Sequence, residues 1–171
     1  MSFAQFFPIP VMVSLLAVTL MVLDSNKCVP YLLAWISFQA WAMYFLAGCT
    51  PKGGVKVVLG YLAGILASIA IMELAPVLGL YVAVFLVVVV VISAERVPWF
   101  DFVPSWFVGA GIFFAVMVLK QDWPAGATSL AKYQIATLHV MISCLVGQVY
   151  GVLTVLARGK YEAMLAAKRP A

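Results

Sequence analysis

The stretch that decides the fold is VLGLYVAVFLVVVVVISAE, residues 77–95. Apart from Gly79, Tyr81, Ser93 and the closing Glu95, its side chains are aliphatic or, at Phe85, aromatic. An amphipathic surface helix keeps a polar face for water, and this segment has none. A helix apolar all round is covered all round, by lipid or by neighbouring helices. The rest of the chain agrees. Of its 171 residues, 66% are hydrophobic and only 9% charged, against about 25% charged in soluble domains. The expectation is an integral membrane protein.

A bilayer core of about 30 Å takes about 20 apolar residues per helix. That ruler predicts six spans, near residues 8–24, 29–49, 53–73, 76–94, 99–119 and 128–157. The breaks between them are DSNKC (24–28), CTPKGG (49–54), ELAP (73–76), ERVP (95–98) and KQDWPAGATS (120–129). Each holds proline, glycine or charge, which stop a helix or cannot stay in hydrocarbon. The opening MSFAQFFPIP has no basic region of the kind that starts a secretory leader. The chain is therefore expected to be one six-helix domain over residues 1–171, with the last helix projecting before a short basic tail from about 158.

An even number of spans puts both termini on one side. That side would carry Lys52, Lys56, Arg96, Arg158, Lys160, Lys168 and Arg169, against Lys27, Lys120 and Lys132 opposite. By the positive-inside rule both termini are expected in the cytoplasm, in a bacterial inner membrane. The net charge of +4 thus fits lipid headgroups, and no nucleic-acid partner is expected because no stacking aromatics alternate with the basic residues. Cys28, Cys49 and Cys144 form an odd set with no CxxC spacing, so no disulfide framework is expected.

Two pieces of sequence occur twice. LGYLAG (59–64) and VGQVYG (146–151) both read apolar-G-x-x-x-G, and FQAWAMYFLA (38–47) loosely matches FVGAGIFFAV (107–116). The order is the same in each half, which suggests a three-plus-three duplication. Three spans per half would invert the copies across the membrane, an arrangement common in transporters. The other reading is packing alone, since small residues let helix backbones approach closely. On it Gly60, Gly64, Ser68, Gly109, Gly147 and Gly151 are helix-contact positions, with Gly111 thinning the same span as Gly109.

Polar side chains at membrane depth face the bundle interior or a wet cavity. At 100° per residue His139, Ser143, Tyr150 and Thr154 lie within about 60° on the last helix. Tyr133, Thr137, Cys144 and Gln148 occupy its opposite side. His139 points away from Met141 and Cys144, so HVMISC (139–144) closes no metal site on one helix, and neither metal nor cofactor is expected. Gln39 sits between Trp35 and Trp41, with Tyr44 further on. Asp101 and Ser105 share a face near the start of span five, where Pro104 is placed to kink the helix and Arg96 to pair with Asp101. Glu73 reads as a boundary charge. Trp99, Trp106, Trp123, Tyr31 and Tyr81 read as an interfacial aromatic belt. The sequence holds one histidine and no carboxylate pair at depth. A Ser143–His139 dyad would lack a third partner, so no enzymatic activity is expected.

At YFLAGCTPKGGVK (44–56) and FVPSWFVGA (102–110) the chain resembles the YcdZ-like family of small six-helix bacterial inner-membrane proteins, a domain of unknown function. The carrying residues are Trp35, Phe38, Tyr44–Phe45 and the Pro51/Gly53/Gly54 turn with Lys56. In the second half they are Phe102–Val103–Pro104, Phe107 and Gly109–Ala110. The resemblance implies the architecture and no activity. The functional expectation is a channel or facilitator for a small neutral or weakly ionised solute, lined by Gln39, Tyr44, Ser105, His139, Ser143 and Tyr150. The alternative is an accessory or anchoring subunit of a larger membrane complex, in which the same residues are helix contacts. Membrane lipids and copies of the same chain are the expected partners.

Overall fold

A computed structural model describes residues 3–167 and shows an all-helical chain, with no strand among those residues. The helices are α1 (Phe3–Phe6), α2 (Pro8–Ser25), α3 (Ala34–Leu46), α4 (Pro51–Leu78), α5 (Leu80–Ser93), α6 (Val103–Leu119) and α7 (Ser129–Ala167). Three stretches are long and apolar enough to cross a membrane: Phe3–Ser25, Pro51–Leu78 and Ser129–Ala167. The other three main helices have 13, 14 and 17 residues. At 1.5 Å per residue they reach only about 20, 21 and 26 Å, short of a full bilayer core.

Several expected boundaries move. Span two shortens at its start because Pro30 and a left-handed Tyr31 (φ 62°) delay the helix to Ala34. The break expected at ELAP is absent: α4 continues through Pro76, and the chain turns at Gly79 instead. Gly79 has φ 82° and ψ 148°, a conformation that a Cβ excludes, so one glycine alone joins α4 to α5. Pro104 lies in the first turn of α6, where its missing N–H costs nothing and no kink results. The basic stretch after residue 157 stays helical to Ala167, with Arg158 and Glu162 paired across one turn at 2.8 Å. Lys168 and Arg169 lie outside the described residues.

The centre forms where α3, α4, α6 and α7 meet, around Ile36, Tyr61, Ile65, Phe113, Val140 and Cys144. Between apolar helices in lipid, association rests on close packing rather than on removing surface from water. Two seams supply it. A Cβ at Gly64 of α4 would collide with the Trp106 carbonyl oxygen and the Ala110 nitrogen of α6. A Cβ at Gly147 of α7 would likewise collide with the Ser37 carbonyl oxygen and the Trp41 nitrogen of α3. Helix α5 leans on the bundle through Ala83, Val87 and Val91, one residue per turn, and leaves its other sides exposed.

Trp106 departs from the expected aromatic belt. It belongs to the buried face Ser105, Trp106, Gly109, Ile112, Phe113 and Val116 of α6. Trp99, Trp123, Tyr31 and Tyr81 are not among the buried core. Lys52 stands 5.5 Å over the Trp99 ring and Lys120 5.6 Å over that of Trp123.

Candidate functional site

Helix α3 is only 13 residues long and its N-cap residue, Leu33, has no side chain that can cap it. The first N–H groups of any helix need partners from elsewhere. Here they come from two other helices. Asp24, near the end of α2, accepts the Ala34 N–H at 3.0 Å, and Ser143 of α7 accepts the Leu33 N–H at 2.9 Å. Lys27 stands 3.6 Å from the other Asp24 oxygen.

His139, one turn before Ser143, serves the same junction. Its Nδ1 lies 2.8 Å from the Tyr31 carbonyl. A carbonyl only accepts, so Nδ1 carries a proton. The ring also meets the Tyr31 ring edge-on, with centroids 5.3 Å apart. His139 thereby holds the left-handed Tyr31 in place and orders the α2–α3 loop.

Further along α7, Gln148 donates through Nε2 to the Ala40 carbonyl at 2.7 Å. Thr19 spends its proton on the Leu16 carbonyl at 2.7 Å, so at 3.0 Å the Tyr150 hydroxyl donates to Thr19 Oγ1. Thr154 donates to the Tyr150 carbonyl, one turn back. The polar side chains of α7 therefore reach α2, α3 and the loop between them.

The other expected lining residues lie on α3 and α6. Ser105 is buried and donates to the Phe102 carbonyl of its own first turn. Tyr44 is buried, with its ring against Gly54 and Gly151. Gln39 lies on the exposed face of α3, away from the buried positions 36, 37, 40 and 44. Of the expected contact positions, Gly60 faces Ser105 and Trp106, Gly109 faces the Tyr61 backbone, and Gly151 faces Tyr44. Ser68 donates to the Gly64 carbonyl at 3.0 Å and also reaches the Ala110 carbonyl at 3.3 Å. Gly111 is exposed and touches nothing within 4 Å of a would-be Cβ.

Among the described residues five buried polar side-chain atoms have no hydrogen-bond partner: Asp24 Oδ1, which has only the Lys27 ion pair, Tyr61 Oη, Gln148 Oε1, and the indole nitrogens of Trp41 and Trp106. Buried polar groups in proteins are almost always paired, so these stand out. Tyr61 is fully buried in the centre of the bundle. It lies between Gly60 and Gly64, where an aromatic reads as packing, and sequence reasoning passed over it. The signal that could have found it is position: Tyr61 lies well inside its helix, away from the breaks at either end.

The charged ends also differ from expectation. Asp101 pairs with Lys56 at 2.6 Å, not with Arg96. Helix α6 begins only at Val103, which leaves Asp101 in the preceding loop, within reach of the first turns of α4. The Lys56 ammonium holds the Asp101 carboxyl below its ordinary pKa, and Lys120, at 2.8 Å, does the same for Asp122. Glu73 accepts from the Tyr133 hydroxyl at 2.9 Å, which ties the end of α4 to α7.

Comparison with curated proteins and with solved structures finds no match. A sequence profile does match residues 7–158, most of the chain. On that match the chain belongs to the family described as "Protein of unknown function (DUF1097)".

Proposed function

We propose that the protein is an integral membrane facilitator for a small neutral or weakly ionised solute, built as an inverted three-plus-three repeat. The two glycine seams support the repeat. Gly64 approaches a carbonyl oxygen and the amide nitrogen four residues later, at 106 and 110, and Gly147 does the same at 37 and 41. Those partners correspond when 38–47 is laid on 107–116. The matching pair is Gly64 with Gly147, one helical turn from the Gly60–Gly147 pairing that the two G-x-x-x-G strings suggest. Inverted repeats place a solute route near the repeat interface.

The observation that carries the reading is Tyr61 Oη, a hydroxyl sealed at the centre of the bundle with no protein partner. Leaving a buried hydroxyl unpaired costs about 1–3 kcal/mol. Were the helices to part around Tyr61, a neutral solute that both donates and accepts would meet that group with no charge to desolvate. The polar groups of α7 that do have partners act as helix contacts in this reading, so His139, Ser143 and Tyr150 hold the frame of the route.

The ends of the bundle support the orientation. Lys52, Lys56, Arg96, Arg158 and Lys160 gather at the end where Tyr161 meets Gln5. Lys27, Lys120 and Lys132 occupy the other. By the positive-inside rule this distribution supports an inner-membrane placement with both termini cytoplasmic. The likeness to YcdZ-type proteins at 44–56 and 102–110 fits the same placement.

A second reading, an accessory subunit, is favoured by one feature. Helix α5 exposes a ridge that includes Tyr81 at 88% and Phe85 at 67%, enough for a partner helix to cover. Flux of neutral solutes such as urea and glycerol into proteoliposomes separates the two. Faster equilibration than in empty vesicles supports the facilitator. No excess flux, together with a stoichiometric foreign subunit after mild extraction, supports the accessory role.

A further inference from the structure

A groove of about 530 Å³ opens among α2, α3 and α7, at the end of the bundle where Tyr161 meets Gln5. Its apolar walls are Ile9 and Val13 from the first turns of α2, Phe45 from the last turn of α3, and Val155 of α7. Phe45 and Cys49 are exposed at its edge. Arg158 and Glu162 are the charged residues of its described lining, and both are open to solvent, with side chains 58% and 46% exposed.

Arg158 Nε donates to Glu162 Oε1 at 2.8 Å across one helical turn. An exposed pair of this kind contributes little by itself, so it regroups readily around other charges. A guanidinium has five N–H donors and a carboxylate two accepting oxygens. One bond between them leaves both groups able to take a further partner. Arginine suits a phosphate, which it can grip through two parallel N–H groups. Glu162 suits an ammonium. Residues four apart on a helix stand about 5–6 Å apart at Cβ, the scale of a phosphate and an amine joined by two carbons. The groove thus presents an apolar slot with one positive and one negative group beside it.

We infer that this groove binds a lipid whose headgroup carries a phosphate and a primary ammonium, a phosphatidylethanolamine. The phosphate meets Arg158, the ammonium meets Glu162, and an acyl chain lies along Ile9, Val13 and Phe45. An anionic lipid would satisfy Arg158 but set its surplus charge beside Glu162. A trimethylammonium headgroup has no N–H to give the carboxylate. A soluble phosphoamine leaves the apolar walls uncovered. The site needs only the membrane placement of the helices, not a solute route, and its test measures binding rather than flux.

The test mixes the full chain in mild detergent with dioleoyl phosphatidylethanolamine, phosphatidylcholine or phosphatidylglycerol and alkylates it with N-ethylmaleimide. Cys49, on the groove, is the reporter, and the exposed Cys28, between α2 and α3 at the other end, is the internal reference. Phosphatidylethanolamine should slow Cys49 at least fivefold relative to Cys28, at concentrations where the other two lipids and soluble phosphoethanolamine have little effect. Glu162→Gln should pass the advantage to phosphatidylglycerol, and Arg158→Gln should remove protection by every lipid. Gly159 lines the same groove with nothing within 4 Å of an added Cβ. Gly159→Trp should therefore fill the slot and abolish the lipid dependence while helicity and melting stay unchanged. Equal protection by the three lipids, protection by phosphoethanolamine alone, or undiminished phosphatidylethanolamine protection in a folded Gly159→Trp or Arg158→Gln protein would overturn the assignment.

Discussion

The α4–α6 seam and the α3–α7 seam are built on the same glycine contact and finished in different ways. At α4–α6 the backbones touch through Gly64, and Ser68 adds one hydroxyl directed to the Gly64 and Ala110 carbonyls. At α3–α7 the Gly147 contact is joined by Ser143 to Leu33 N–H, by Gln148 to the Ala40 carbonyl, and by His139 to the loop before α3. The difference follows from helix length. Helix α4, with 28 residues, is capped by Thr50, whose side chain accepts the Gly53 N–H at 3.0 Å. Helix α3 is short and lacks a capping residue of its own, so α7 and α2 supply what its first turn lacks. A polar stripe at membrane depth can be the finishing of a neighbouring helix.

The largest expected effect tests whether the seams differ in strength. Gly64→Leu gains about 0.8 kcal/mol of helix propensity but forces a side chain into the α6 backbone, at a cost of about 3 kcal/mol or more. Gly147→Leu meets the same collision at a seam with additional hydrogen bonds. Thermal melting in mild detergent should therefore show the greater loss for Gly64→Leu, and equal losses would remove the contrast.

Next comes Ser143→Ala, which strands the Leu33 N–H and should cost about 1–3 kcal/mol. Hydrogen exchange should rise at residues 33–36 first. Unchanged exchange there would mean the cap is not needed. His139→Phe keeps a ring against Tyr31 and loses one hydrogen bond, so about 1 kcal/mol is expected, with the opening confined to the α2–α3 loop.

The smallest effect is at the charged ends. Lys56 lowers the pKa of Asp101, so the stability from this pair is present above the ordinary carboxylate pKa. It is lost as pH falls through the lower folded-state value. Asp101→Asn should remove only that acidic part of the pH–melting profile, and Asp122→Asn should do the same for the Lys120 pair.

How far the sequence could be read follows from where the deciding partner lies. The helices and most of the breaks follow from local hydrophobic runs and from proline and glycine, and Gly64 and Gly147 stand out by spacing. The turn at Gly79 was hidden because Pro76 draws the boundary to itself, although a proline near the end of a long helix can be carried within it. The polar stripe of α7 is visible at 3.6-residue spacing, but its partners include the Tyr31 carbonyl and Leu33 N–H before α3 and the Thr19 side chain of α2, which the spacing along α7 does not reveal. Asp101 was matched to Arg96 because the two are near in sequence, whereas Lys56 reaches it from another helix. Tyr61 looks like packing until its hydroxyl is seen to have no partner.

Tyr61→Phe tests the central claim most directly. It removes the unpartnered hydroxyl and leaves the ring, so the protein should melt at the same temperature or higher. Neutral-solute flux in proteoliposomes should nevertheless fall at least several-fold. A stable Tyr61→Phe protein with undiminished flux would contradict a solute route at the centre of the bundle.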